Sequence, residues 1–171
     1  MRSNVLVLHS GGQDSTTCLV WALSRFKKVE TLSFDYGQRH RIEIASARAI
    51  SKKLGVHHTV LRLNKVFDQL GDKSSLVEHF SGVEKCDCRV GKSRGDALIE
   101  HSSRTKKRGR GGLPNTFVPG RNIIFLALAG AYAYNHGITD IVTGVCQTDY
   151  SGYPDCRAAT IKAIERSLRE G

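Results

Sequence analysis

Ser10-Gly11-Gly12-Gln13-Asp14-Ser15 is the segment of the chain best equipped for chemistry. Two adjacent glycines let a backbone turn tightly and bring its N–H groups close to an anion. A helix opening near Ser15 adds the positive end of its dipole at the same place. Ser10, Ser15 and Thr16 contribute hydroxyls, and Asp14 can hold Mg²⁺ or cap the helix. The group such a set suits is a phosphate. The spacing is neither GxxxxGK[ST] nor GxGxxG, and a two-glycine turn after a strand is, taken alone, more often a plain connection than a phosphate site.

Three other strings carry side chains of use to a ligand. Phe34-Asp35-Tyr36-Gly37-Gln38-Arg39-His40 offers Arg39 for phosphate, against the equal chance of a surface arginine. Pro114-Asn115-Thr116-Phe117-Val118-Pro119-Gly120-Arg121-Asn122 ends in an arginine whose planar fork can grip phosphate where a lysine could not. Its competing reading is a helix entry with Arg121 solvated. Gly144 to Arg157 contains Asp149, Tyr150, Tyr153 and Asp155, an acidic, aromatic set able to stack on a flat ring and accept its donors. The plainer alternative there is a Gly/Pro turn with ordinary aromatic packing. Cysteines stand at 18, 86, 88, 146 and 156, with no CxxC pair, which argues against a disulfide scaffold or a zinc site of recognisable spacing. The seven histidines, His40 included, read as structural more readily than catalytic.

The periodicity says what must position these strings. Val5-Leu6-Val7-Leu8 is a continuous apolar run, as in a parallel strand buried on both faces. Thr16 to Phe26 reads as a helix, Val29 to Asp35 as a strand, and Arg41 to Leu54 as a helix ended by Gly55, its apolar side formed by Ile42, Ala45, Ala49, Ile50 and Leu54. His57 to Leu63 predicts a third strand and Val66 to Gly71 a short helix. Order resumes with a long helix from Arg121 to His136 closed by Gly137, a strand from Thr139 to Val145, and a last helix from Arg157 to Arg169. Strand and helix alternating in this way predict right-handed crossovers in a parallel α/β sheet with helices on both faces. Ligands of such sheets bind beyond the carboxyl ends of the strands. That rule brings Ser10–Ser15, Asp35–Arg39 and Gly144–Asp155 to one crevice.

At 171 residues the chain fits one domain, 1–171, and 40% hydrophobic residues suffice for a core. No run reaches the about 18 apolar residues of a membrane span, and the N-terminal apolar stretch is short for a signal peptide. The expected setting is therefore the cytoplasm, with no membrane partner. The net charge of +10 invites a nucleic-acid reading, yet nine Lys/Arg against three Asp/Glu between Lys85 and Arg110 account for six of those ten charges. The excess belongs to a basic insertion at about 85–112, expected to be a mobile, solvated loop, with RNA contact its less favoured role.

Taken together and in order, the four strings resemble the 7-cyano-7-deazaguanine synthases of the queuosine pathway, within the PP-loop ATP pyrophosphatases. The likeness runs from Val5 to about Leu168, apart from Lys85–Gly112. It implies an adenine nucleotide alpha hydrolase-like, Rossmann-like PP-loop fold and an ATP-dependent carbon–nitrogen ligase. It also implies that ATP and Mg²⁺ are used to convert 7-carboxy-7-deazaguanine and ammonia to the nitrile through adenylated acid and amide. By the same resemblance ATP falls to His9, Ser10, Gly11, Gly12, Gln13, Asp14, Ser15, Thr16, Thr17, Cys18, Leu19 and Arg39, with Asp14 the metal contact. Asp14, Ser15 and Arg121 take the catalytic roles, and Asn122, Asp149, Tyr150, Tyr153 and Asp155 the substrate. The family's clustered zinc cysteines have no counterpart among the five here, so no zinc is expected in this chain. A homodimer is a further expectation. The alternatives are a tRNA-modifying thiolase of the same superfamily, which needs a reactive cysteine, and an inactive nucleotide-binding fragment.

Overall fold

Among the described residues, four parallel strands form one sheet in the order β3-β2-β1-β4. The structure, a computed structural model, describes residues 2–38, 42–69, 118–146 and 153–171. Its strands are β1 (Arg2–Leu8), β2 (Phe26–Asp35), β3 (His57–Arg62) and β4 (Asp140–Val142); its helices are α1 (Gln13–Leu23), α2 (Ile42–Lys53), α3 (Asn64–Gln69), α4 (Arg121–Asn135) and α5 (Ala158–Glu170). The basic insertion at about 85–112 lies outside the described residues.

Strand β1 runs through the middle, paired with β2 on one side and β4 on the other. Its residues alternate between two cores. Val5 and Val7 pack with Leu19 and Ala22 of α1, Phe26, and partly buried Ile50 of α2. Leu6, with Leu32 and Phe34 of β2, packs against Ala129 and Ala133 of α4 on the opposite face. Each fully buried aliphatic chain here contributes on the order of 1.5–3 kcal/mol. The expected three-layer arrangement, helices on both faces of a parallel sheet, is therefore the one observed.

Boundaries shift where side chains compete for the backbone. Helix α1 starts at Gln13, before the expected Thr16, because the Gly12 carbonyl already accepts the Thr16 N–H at 3.0 Å. It ends at Leu23: Ser24 and Arg25 turn back onto the carbonyls of Trp21 and Ala22, and Phe26, expected in the helix, opens β2 as a buried core residue. Strand β4 is shorter than Thr139–Val145 because it pairs with β1 over Asp140–Val142 alone, and the chain leaves the strand at Thr143. Helix α2 is rotated from the expected face. Ala47 and Ser51 are its buried residues, whereas Ile42 is 76% exposed. The apolar count misses this because Ser51 is drawn inward by hydrogen bonding rather than by hydrophobicity.

Candidate functional site

The loop between β1 and α1 is bound up around one carbonyl. Gly12 O accepts from Ser15 Oγ at 3.1 Å, from Thr16 Oγ1 at 2.8 Å and from the Thr16 amide. Ser10 adds a second tie, its amide 3.2 Å and its hydroxyl 3.1 Å from Ser15 Oγ. Ser15 is accordingly buried, while Ser10, Gly12, Gln13 and Asp14 stay exposed at the mouth of the helix. Helix α2 braces the loop from behind, where Ser46 Oγ donates to Gly11 O at 3.3 Å. Gly11 has φ +84°, and a Cβ there would lie 2.4 Å from the Glu43 carbonyl. Glycine is thus required twice over, by conformation and by contact.

This loop forms one wall of a cavity of about 640 Å³ beyond the carboxyl ends of the strands. His9, Ser10, Gly12, Gln13, Asp14 and Ser15 line it on one side; Arg121, Asn122 and Tyr153 line it on another, and Thr143–Cys146 close the β4 side. Topology explains the place. Strands β2 and β3 lie to one side of β1 and β4 to the other, so the crossovers diverge between β1 and β4 and leave a crevice there. Gly144 lies against the start of α1, the Ser15 amide and Cys18 Sγ each 3.5 Å from where its Cβ would stand.

Opposite the loop, Arg121 opens α4. Its Nη1 donates to Tyr36 Oη at 3.4 Å and its guanidinium lies 5.8 Å from the Tyr36 ring centre, within cation–π reach. Phe125, one helical turn on, stacks on Phe34 at 4.2 Å and leans on Tyr36 at 5.4 Å, giving the cavity an aromatic floor. The sequence reading passed over Phe125 and Glu43, both cavity-lining. The four-residue step from Arg121 to Phe125 was the available sign, since it puts both on one helix face.

The structure parts several of the expected site residues. Leu19 is fully buried in the α1-side core and does not line the cavity; Thr17 turns its hydroxyl onto Gln13 O. Asp155 is also buried. Its Oδ2 accepts the Asn122 backbone N–H at 2.9 Å, so it caps α4 from outside, where a carboxylate suits the helix's positive end. It is not among the cavity-lining groups, and its Oδ1 is buried with no hydrogen-bond partner among the described residues. Asn122 Nδ2 reaches Cys156 Sγ at 3.2 Å, which ties the short turn Pro154–Cys156 to α4. Arg39, His40, Asp149 and Tyr150 lie outside the described residues.

Burial pushes the His9 imidazole below its usual range, so it is neutral near pH 7. Burial, then the nearby Asp14 carboxylate, raises the Cys18 thiol, which disfavours the thiolate a sulfur-transferring nucleophile needs. Among the described residues no group of three or more His, Cys, Asp or Glu gathers as for a metal. Asp14 does offer one exposed carboxylate at the phosphate loop, and that donor set fits Mg²⁺, which takes most of its ligands from water and phosphate.

A parallel sheet with a serine- and glycine-rich loop leading into α1, and an arginine across the switch-point crevice, defines a nucleotide-binding fold of the PP-loop type. The family model described as queuosine biosynthesis protein QueC matches residues 4–171, and the chain belongs to that family. It is 48% identical over 168 residues to the 7-cyano-7-deazaguanine synthase of Laribacter hongkongensis, covering 98% of this chain and 64% of the relative. With the synthase of the same name from Chromobacterium violaceum it shares 49% over 170 residues, 97% of this chain and 62% of the other. The chain thus spans less than two thirds of these relatives' length. A crystal structure titled as a predicted subunit of tRNA methyltransferase, from Methanocaldococcus jannaschii, superposes with a TM-score of 0.51 at 16% identity, covering 99% of this chain and 65% of that one, a likeness of fold alone. No helix among the described residues is long and apolar enough to cross a membrane.

Proposed function

We propose that these 171 residues form the nucleotide-binding part of a cytoplasmic 7-cyano-7-deazaguanine synthase. The reaction is the ATP-dependent conversion of 7-carboxy-7-deazaguanine and ammonia to the nitrile. A carboxylate oxygen attacks the α-phosphorus of ATP and pyrophosphate leaves; ammonia then displaces AMP to give the amide. The amide oxygen attacks a second ATP, pyrophosphate leaves again, and loss of AMP and protons yields the nitrile. Both adenylations need the same service from the protein: a flat heterocycle, carboxylate in the first step and neutral amide in the second, held against ATP while charge shifts onto the departing pyrophosphate.

The observation that supports this most is that one cavity carries the phosphate loop, Arg121 and the aromatic floor together. Exposed backbone N–H groups at the start of α1 suit the pyrophosphate. Mg²⁺ bound at Asp14 would neutralise phosphate charge. Arg121, steadied by Tyr36, faces the same space and can stabilise the charge of the transferring group. Tyr153 and Phe125 border the cavity where a deazaguanine ring could stack. Positioning of this kind can supply roughly 7–11 kcal/mol of a barrier in favourable cases, with no covalent nucleophile.

The test is release of pyrophosphate from ATP, measured with and without 7-carboxy-7-deazaguanine. The expected result is substrate-dependent release that falls about 10²-fold or more in Arg121→Ala and is lost in Asp14→Ala. Unchanged turnover in both variants would remove the cavity from the mechanism. ATP binding without turnover would instead assign this chain nucleotide binding, with the chemistry completed by other residues.

A further inference from the structure

From His9, on the wall of the nucleotide cavity, a line of polar side chains runs back behind the phosphate loop to residues outside that cavity. His9 Nε2 lies 3.3 Å from Thr16 Oγ1 and His9 Nδ1 lies 3.4 Å from Ser51 Oγ. Ser51 Oγ is 3.2 Å from Thr31 Oγ1, which in turn is 2.9 Å from His58 Nδ1. The line therefore joins α1, the end of β1, α2, β2 and β3. Thr31 and Ser51 are fully buried and His9 nearly so. His58 borders a different groove, beside Arg48, Lys52, His57 and Arg62, and is not part of the nucleotide cavity.

The direction of each hydrogen bond follows from where the hydroxyl protons are spent. Thr16 Oγ1 donates to Gly12 O, so it meets His9 Nε2 as an acceptor, and His9 carries its proton on Nε2. His9 Nδ1 is then a bare lone pair that needs a donor. Ser51 Oγ, 3.4 Å away, supplies it, and with its proton spent there Ser51 meets Thr31 as an acceptor; the Thr31 hydroxyl proton is shared between Ser51 Oγ at 3.2 Å and the His57 carbonyl at 2.9 Å. With its own proton committed, Thr31 accepts from His58 Nδ1. Ser33 holds the backbone at the same point by donating to the His9 carbonyl.

We infer that His58 is a positioning residue for the phosphate loop, acting through Thr31 and Ser51 to fix the tautomer and tilt of His9 and so the Thr16–Gly12 contact. The inference rests on the proposed nucleotide role of the loop. Neutrality at both rings is what the arrangement needs, and burial supplies it: His58 is held down to about 4, with His9 at the end of β1, Arg48 on α2 and His57 on β3 adding to that effect. His9 is likewise lowered by burial. A second proton on His9 would remove the lone pair that receives Ser51 and loosen the link to the loop.

The test pairs two measurements on the full chain: side-chain ¹⁵N NMR of the histidines from pH 8 to 5.5, and binding of ATP and of pyrophosphate. In the native protein His9 is expected to hold the Nε2–H form at the upper end of that range and to take up its second proton only below pH 6.5. In His58→Ala the expectation is a mixture of tautomers at His9, titration of His9 at higher pH, and roughly tenfold weaker pyrophosphate binding. Ser51→Ala should do the same from the other side. His58→Asn, whose amide nitrogen stands near the place of Nδ1, should restore both readouts, and it separates positioning from a general loss of folding. A His9 signature and a pyrophosphate affinity within twofold of native in both His58→Ala and Ser51→Ala would overturn the inference. If the native chain binds neither ATP nor pyrophosphate, the nucleotide reading fails, while the His9 signature in the same samples still decides whether His58 controls it.

Discussion

At the scale of single residues, the loop works because its hydroxyls face inward. Ser15 and Thr16 are both spent on Gly12 O, so the amides ahead of them are the groups left for an anion. Two imidazoles, His9 buried and His58 half-buried, stand behind this arrangement, and they make stability depend on pH in a definite direction. Both have folded-state values below the usual 6.5, His58 at about 4. The unfolded chain therefore takes up protons at these sites before the folded one does. Their contribution is complete above about pH 6.5 and is lost as pH falls below it, for His58 down to about 4. Glu30, lowered mainly by its hydrogen bond from Lys28, loses its own contribution only below the ordinary glutamate range near 4.5. Denaturant midpoints should therefore decline between pH 6.5 and 4.5, and the decline should flatten in His58→Asn. A flat native profile over that interval would mean these imidazoles charge freely in the fold. The glycines and Asp14 were legible from the chain alone because local composition announces them. The role of Ser51 was not: a serine on a helix face signals solvent until its partners from β1 and β2 are placed beside it.

At the scale of elements, helix packing decides which glycines matter. Helix α2 presses on the loop at Gly11, where an added methyl group would meet backbone, the Glu43 carbonyl at 2.4 Å and the Ala47 amide at 2.7 Å. Helix α5 presses on α4 at Gly130, where the nearest atom is the Cδ2 end of Leu168, at 2.5 Å. Backbone cannot move aside cheaply; the end of a leucine that is 39% exposed can. Gly11→Ala also requires a left-handed conformation, a cost of order 1–3 kcal/mol before any clash. Gly130→Ala gains up to about 1 kcal/mol of helix propensity, which offsets the shift of Leu168. Chemical denaturation should find Gly11→Ala destabilised by at least 2 kcal/mol or so, and Gly130→Ala within about 0.5 kcal/mol of native. Equal losses at the two sites would mean that α5 is as tightly held as α2. Element types and most boundaries followed from apolar runs and periodicity, because β1 is a continuous apolar run buried on both faces while α1 and α4 each bury one face. The α2 rotation and the early end of α1 escaped it, since both depend on serine hydroxyls, Ser51 bonded to the Thr31 side chain and Ser24 to the Trp21 carbonyl, rather than on apolar spacing.

At the scale of the whole molecule, the site depends on strand order, which no local pattern encodes. The run β-α-β-α-β is equally compatible with β4 joining the sheet beside β3. In that order Thr143–Cys146 would lie far from the loop, and α4 would not bring Arg121 to face it. Placing β4 against β1 opens the crevice between the two strands and gathers loop, arginine and aromatic floor around about 640 Å³. The general rule for parallel sheets anticipated one crevice for the loop and the segments that follow β2 and β4, but not the aromatic floor beside Arg121, and it is the geometry rather than the +10 charge that makes the site specific. A ligand held jointly by elements on both sides of the crevice must stabilise the fold as a unit. Saturating ATP with Mg²⁺, at about 100 times its dissociation constant, should add on the order of 2.7 kcal/mol to unfolding and raise the melting temperature by several degrees. The rise should shrink in Arg121→Ala, on the α4 side, and in Asp14→Ala, on the loop side, and persist in Gly130→Ala. Loss of the shift in Asp14→Ala but not in Arg121→Ala would place the nucleotide on the loop alone, and the crevice would then have to serve the second reactant by itself.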